Sequence, residues 1–137
     1  MSRDREVVAA AFDAWMAGTA PITDLFAEDM TWEIVGRSAA SRAYADTAQF
    51  VEEVLAPFGA RFPADAPFRP ARTRAVYEDH DARTVIVVWD GRGTTTIGTE
   101  YANTYAWILT MRDSKVIAGT AFYDSKSFDE LWTTVQP

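Results

Sequence analysis

The pattern of apolar and polar positions changes period partway along the chain. The first part repeats at helical spacing. In "DREVVAAAFDAWMAG" Val8, Phe12 and Trp15, with Val7 and Ala11, fall on one stripe, and Gly18 suits the stop. "PITDLFAED" predicts a short second helix with Pro21 in its first turn. "MTWEIVG", Met30 to Gly36, alternates and predicts a first strand. In "DTAQFVEEVLAPF" the stripe is Phe50, Val54 and Leu55. Asp46 can cap that helix, Gln49 sits three residues on, and the helix should stop before Pro57.

The second part has period two. Strands are expected from about Phe68 to Tyr77, over "RTVIVVWDGRGTT", over "EYANTYAWILT" and over "VIAGTAFYD". "EDHD", a turn at Gly98 and "RDSK" separate them. "SFDELW" starts a terminal helix in which Ser127 and Glu130 make a capping box. The order predicts a single α+β domain over residues 1–137, with three N-terminal helices packed on a curved, mostly antiparallel sheet. A sheet that curls around helices encloses a pocket. "EYANTYAWILT" is unusual because both faces look built for contact. Tyr101, Asn103, Tyr105 and Trp107 are large; Ala102, Thr104, Ala106 and Ile108 are small or branched.

Composition narrows the function. The chain is 48% hydrophobic and 13% aromatic, enough for a substantial core, and its formal net charge is −7. A nucleic-acid partner needs a basic face, and an anionic membrane surface would repel this chain. No apolar run suggests a signal peptide or a membrane span, so a cytoplasmic protein is the default expectation. There is no cysteine, which removes thiolate chemistry, and one histidine, His80, which leaves no multi-histidine metal site. "GRGTT" lacks the Lys-Ser/Thr ending of a phosphate loop and opens no helix. No metal and no cofactor is expected. His80 reads as part of a solvated turn, and Glu33 has the parity opposite to Trp32 and Ile34.

"DLFAEDMTWEI", "VIVVWDGRGTT" and "YANTYAWILTMRDSKVIAGTAFYDSKSFDELW" together resemble the nuclear-transport-factor-2-like superfamily, the cone-shaped α+β barrels. Within it the chain is most similar to SnoaL-like and ketosteroid-isomerase-like small proteins. The resemblance covers nearly the whole chain and implies fold more than function. Where the isomerases keep a proton-shuttling Asp, this chain matches Ile34. Their helix-one Tyr falls at Ala11 or Phe12, and their protonated Asp falls at Trp107 within one residue. Of the Asp-Arg-Asp set of limonene-epoxide-hydrolase-like members, Asp90 matches one Asp, while Val88 and Ala121 stand at the others. Their strand-one Tyr and Asn match Trp32 and Ile34. The acid of SnoaL-like cyclases falls near Ala121, with Asp124 three residues on. The resemblance also implies a cavity lined by Trp32, Ile34, Asn103, Tyr105, Trp107 and Tyr123, and a homodimer through the outer sheet face.

Three functions follow as expectations. The first is a binder of a small, largely apolar molecule with one or two polar groups. The second is an isomerase, cyclase or hydratase using Asp90 as general acid or base, if Asp90 points into the cavity. The bland alternative is that Asp90 begins an Asp-Gly turn. The third is a dimeric interaction module whose aromatic strand face meets a protein. Asn103 is either a ligand anchor or a structural hydrogen bond to a loop. Trp15 is core or, with Trp32 and Trp107, part of an aromatic cage; Arg72 and Arg74 are surface ion-pair partners or meet an anionic group at the pocket mouth; Asp124 is a cap near Ser127 or an acid at the pocket rim. The Pro-rich stretch "PFGARFPADAPFRP" is either a cover over the pocket mouth or a long connection.

Overall fold

The computed structural model describes residues 3–137. Helix α1, Arg3–Ala17, ends as the sequence predicts. Gly18 takes φ 76°; its N–H bonds Trp15 O and the Thr19 N–H bonds Ala14 O, the pairing that closes a helix through a left-handed residue. The expected second helix is a single 3-10 turn, Ile22–Leu25, and strand β1 begins already at Phe26, running Phe26–Ile34. Phe26, Met30, Trp32 and Ile34 are all buried on one side of it. Met30 onward is strand as expected, and the expected helix over residues 21–29 gives way to strand from Phe26.

Two residues, β2 Ala43–Tyr44, pair against β1 and carried no sequence signal of their own. The next helical segment begins at its expected cap, with the Gln49 N–H bonded to Asp46 Oδ1 at 2.8 Å. It runs through α2, Thr47–Phe50, a π-helical turn, Val51–Leu55, and α3, Ala56–Gly59. The chain thus stays helical past Pro57, contrary to expectation. The wider π turn ahead of the ring, in which the Ala56 N–H bonds Val51 O, accommodates it.

Strands β3, Arg69–Asp79, β4, Thr84–Thr94, β5, Glu100–Arg112, and β6, Lys115–Tyr123, form the meander. The six strands are ordered β2-β1-β6-β5-β4-β3, antiparallel except where β1 meets β6. The β5–β6 turn has Asp113 and Ser114 both at positive φ, as a two-residue hairpin requires. Helix α4, Ser125–Thr134, closes the chain. Its cap is Asp124, whose Oδ1 accepts from the Lys126 and Ser127 N–H groups. The expected Ser127–Glu130 capping box is therefore replaced by the Asp124 carboxylate, three residues upstream of Ser127. Among the described residues no helix is long and apolar enough to cross a membrane.

The stretch 57–70 is a cover laid over the sheet. Its anchors are Phe58, Phe62 and Phe68, which pack on one another with centroids 4.9–5.5 Å apart. "DGRG" does not turn; it continues β4 with Gly91 and Gly93 on the side of the sheet that carries Trp89. A Cβ at Gly91 would collide with the Phe68 ring, and one at Gly93 would crowd the Phe62 ring. The two missing side chains are the seats for the cover.

Candidate binding site

The cavity lies between the concave sheet face, α1, the α2–α3 segment and the cover. Its volume is about 230 Å³. Strand alternation supplies the floor: Trp32 and Ile34 from β1, Trp89 from β4, Tyr105 and Trp107 from β5, Ala121 and Tyr123 from β6. Trp15 of α1, with Phe50, Val54 and Phe58 of the helical segment, forms much of the remaining wall. Trp32 lies where Gly119 of β6 leaves room; a Cβ at Gly119 would fall within the indole ring. Trp107 sits at the centre, its ring 4.9 Å from Trp32, 5.1 Å from Trp89 and 5.6 Å from Phe12. No carboxylate, amine, guanidinium, imidazole or amide side chain lines the cavity among the described residues.

Five of the six lining residues expected from the resemblance stand in this wall: Trp32, Ile34, Tyr105, Trp107 and Tyr123. Asn103 does not. It faces inward, but beyond the end of the β5–β6 pairing, where its side chain acts as a strand's peptide group would. Its Oδ1 accepts from the Asp124 and Thr104 N–H groups at 3.0 and 2.9 Å. Its Nδ2 donates to Asp124 O at 3.0 Å and to Tyr101 Oη at 2.9 Å. All four bonding positions of the amide are used, so Asn103 fastens the β6–α4 corner rather than offering a ligand a free hand. Tyr101 is buried beneath the cover, against Phe58 and Phe68.

Asp90 faces the other way. Trp89 takes the inward place on β4, and the carboxylate lies outside, 3.0 Å from Arg74 Nε and 3.3 Å from Arg72 Nε. Thr104 Oγ1 donates to it at 2.7 Å. The Thr104 hydroxyl first, then Arg74, hold the carboxyl below its usual range. The condition for an acid–base role in the cavity is therefore not met, and the expected catalytic Asp90 is corrected to a surface ion-pair partner. Val88 shares its outward parity, so of the five positions of the epoxide-hydrolase match Asp90 and Val88 lie outside, while Trp32, Ile34 and Ala121 line the cavity without an acid among them. A depressed pKa means Asp90 stabilises the fold above the unfolded carboxyl value of about 4, a contribution lost as pH falls below it. Asp90→Asn is expected to cost less than about 1 kcal/mol at neutral pH, by the usual worth of solvent-facing pairs, and less again at pH about 3. Urea midpoints at the two pH values check this; an equal loss at both would contradict it.

The tyrosine hydroxyls of the site stay protonated. Burial pushes Tyr105 far up, and raises Tyr123 and Tyr101 as well. Tyr123 Oη lies 2.7 Å from Ser38 Oγ, which in turn lies 2.9 Å from Ser41 Oγ. Tyr101 Oη and Tyr105 Oη are 2.8 Å apart. The cavity's polar side chains are thus neutral throughout.

Neither a protein-family model nor a curated protein matches the chain. Solved structures do. An NTF2-like protein from Burkholderia thailandensis superposes with TM-score 0.72 at 19% identity, covering 100% of each chain. Bal32a, from a soil-derived mobile gene cassette, gives 0.70 at 22% identity over 94% of this chain and 95% of that one. The fold is nuclear-transport-factor-2-like. TerC, co-crystallised with polyporic acid, gives 0.71 at 21% identity over 97% of this chain and 100% of that one. Two positions matched to isomerase acids, Ile34 and Trp107, are cavity wall without a carboxyl group.

What the sequence reading missed is the upper half of the wall: Trp15, Phe50, Val54, Phe58, Phe68 and Phe128. The available signal was the inward parity of Gly91 and Gly93 opposite a phenylalanine-rich connection.

Proposed function

We propose that the chain binds a small, uncharged, largely apolar molecule inside the cone. The observation that carries this is a cavity of about 230 Å³ walled by aromatic and aliphatic side chains with no charged group among the described residues. Moving an ion into such a site is costly, whereas an apolar molecule gains at every surface. A dry cavity of about 150 Å³ accepts benzene, so this one has room for two rings. The TerC structure with polyporic acid supports a small organic occupant for this fold. Naphthalene is expected to raise Tm as the logarithm of its concentration. Ala121→Leu, which fills the cavity from β6, is expected to remove that rise. No rise with the unaltered protein would overturn the reading, as would an undiminished rise with the variant.

We also propose a second copy of this chain as the partner of the outer sheet face. Phe122 is 44% exposed there. It pairs with Ala106, which pairs in turn with Val88, while Ile108 stands opposite Ile86. Asp90 beside Arg72 and Arg74 gives the same face both signs of charge, as a two-fold contact requires. The aromatic face of β5 is buried inside the cone, so it is not the protein-contact surface of the third expectation. Ile108→Asp with Phe122→Asp is expected to give a monomer by sedimentation analysis. A wild-type monomer at the same concentration would refute the proposal.

A further inference from the structure

The cavity has its mouth where its lining residues reach the surface. Trp32, Trp89 and Trp107 of the floor are buried, whereas Pro21, Gly59 and Pro67 are exposed and Trp15 and Phe68 half-buried. Phe68 stands in the gap between α1 and α3. Its ring centroid lies 6.3 Å from that of Trp15 and 4.9 Å from that of Phe58, and it covers Trp89 and Tyr105 of the floor at 6.2 and 6.3 Å. The chain that carries this ring is fastened at both ends and not between them. Upstream, Arg61 is bonded to the carbonyls of Val135, Pro57 and Trp132, and the Phe62 ring sits over Gly93. Downstream, Arg69 and Pro70 open the β3 pairing, opposite Arg92 and Gly91. Over residues 63–68 the one hydrogen bond is local, from the Ala66 N–H to Pro63 O. Among the described residues no hydrogen bond or ion pair joins this strap to the rest of the protein. Two of its residues, Pro63 and Pro67, have no N–H to offer.

On the reading that this cavity binds a small uncharged molecule, we propose that Phe68 is its door: the strap 63–68 swings outward, the ring leaves its seat at Gly91, and the ligand passes between Trp15 and Phe58. Opening breaks ring contacts and no hydrogen bond to the body of the fold, which puts the strap at the low-stability end of the molecule. The hinges follow from the same observations. Arg61 and Phe62 keep the movement out of the helical segment, and the β3 pairing stops it at Arg69. Proline at 63 and 67 fixes φ at both, so the strap is stiff and moves as a unit. Gly91 makes the closed state possible, because a Cβ there would meet the tip of the Phe68 ring and hold the door off its seat. The site receives ligand only while the strap is out. The observed association rate is then the intrinsic rate multiplied by the open fraction. Escape is slowed by the same factor, so the door sets how fast a ligand exchanges more than how tightly it binds.

The test is stopped-flow tryptophan fluorescence with tetralin, read as the association rate constant. Phe68→Ala removes the door and is expected to raise that constant about tenfold, as for a site closed about nine-tenths of the time, with dissociation faster by at least as much. Gly91→Ala keeps the phenyl ring but unseats it, and is expected to speed association as well. A ring that served only as wall would shorten residence when removed and leave association unchanged. Pro67→Gly changes an exposed position, where folding is not at stake, and frees the strap's backbone; a smaller rise of about twofold is expected. Association constants equal to that of the unaltered protein in Pro67→Gly and in whichever of the other two variants fold would overturn the door while leaving the cavity a binding site. Failure of tetralin to bind the unaltered protein at equilibrium would instead remove the binding reading on which the door rests.

Discussion

Trp107→Ala is expected to lower the free energy of unfolding by about 4 kcal/mol, the usual cost of deleting a buried tryptophan side chain. Trp107 is 5% exposed and holds five rings together: Phe12, Trp15, Phe26, Trp32 and Trp89. Those rings come from α1, β1 and β4, so the indole joins elements that the sheet's hydrogen bonds alone do not join. The walls cannot collapse fully into the gap, because Trp32 is fixed over Gly119 and Trp89 is stacked on Tyr105. The variant cavity is therefore larger, and three-ring aromatics that the unaltered site excludes should enter it. Urea unfolding gives the energy. A loss below about 1 kcal/mol would place Trp107 outside the class of packed core residues.

Arg61→Ala is expected to cost about 3 kcal/mol by loss of charged hydrogen bonds, and to loosen the cavity's roof. Arg61 is 4% exposed, and no carboxylate forms an ion pair with it among the described residues. Its guanidinium instead donates to Val135 O at 2.7 Å, Pro57 O at 2.8 Å and Trp132 O at 3.1 Å. It also stacks over the Trp132 ring at 4.0 Å. Val135 and Trp132 end α4, where unpaired carbonyls concentrate partial negative charge. The helix end thus replaces the missing counter-ion. Burial lowers the Arg61 pKa, yet guanidinium remains charged. Removing it strands three carbonyls and frees α4, which carries Phe128 of the cavity wall. Arg61→Lys should recover less than half of the loss, since one ammonium cannot copy the planar fork. A denaturation midpoint for Arg61→Ala equal to the unaltered protein's would disprove the latch.

The sheet was largely legible because alternation is a local property. Period two divided β5 into two faces, the resemblance placed Asn103, Tyr105 and Trp107 on the inner one, and the turn at Asp113–Ser114 marked the hairpin. The start of β1, Phe26 to Asp29, was not legible, since Phe26 stands four residues before Met30 and that spacing fits two periods. Asp90 was misleading for a related reason: an acid after "VIVVW" suggests a cavity edge, yet parity puts Trp89 inside and Asp90 out. Asn103 and Arg61 lay beyond any local pattern. Each makes its bonds to backbone far away in sequence, Asp124 for one and the end of α4 for the other. The choice between a cover and a long connection for residues 57–70 stayed open for the same reason, until Gly91 and Gly93 are recognised as inward-facing positions with no side chain.

The central claim is that the space inside the cone, and not the outer sheet face, receives a small apolar molecule. Its most direct test is an NMR titration of the indole N–H signals with tetralin. The chain has five tryptophans. Trp15, Trp32, Trp89 and Trp107 are cavity wall, while Trp132 stacks on Arg61 away from it. The signals of those four are expected to move to saturation together while that of Trp132 stays in place. No movement at saturating tetralin, or movement of Trp132 alone, would contradict it.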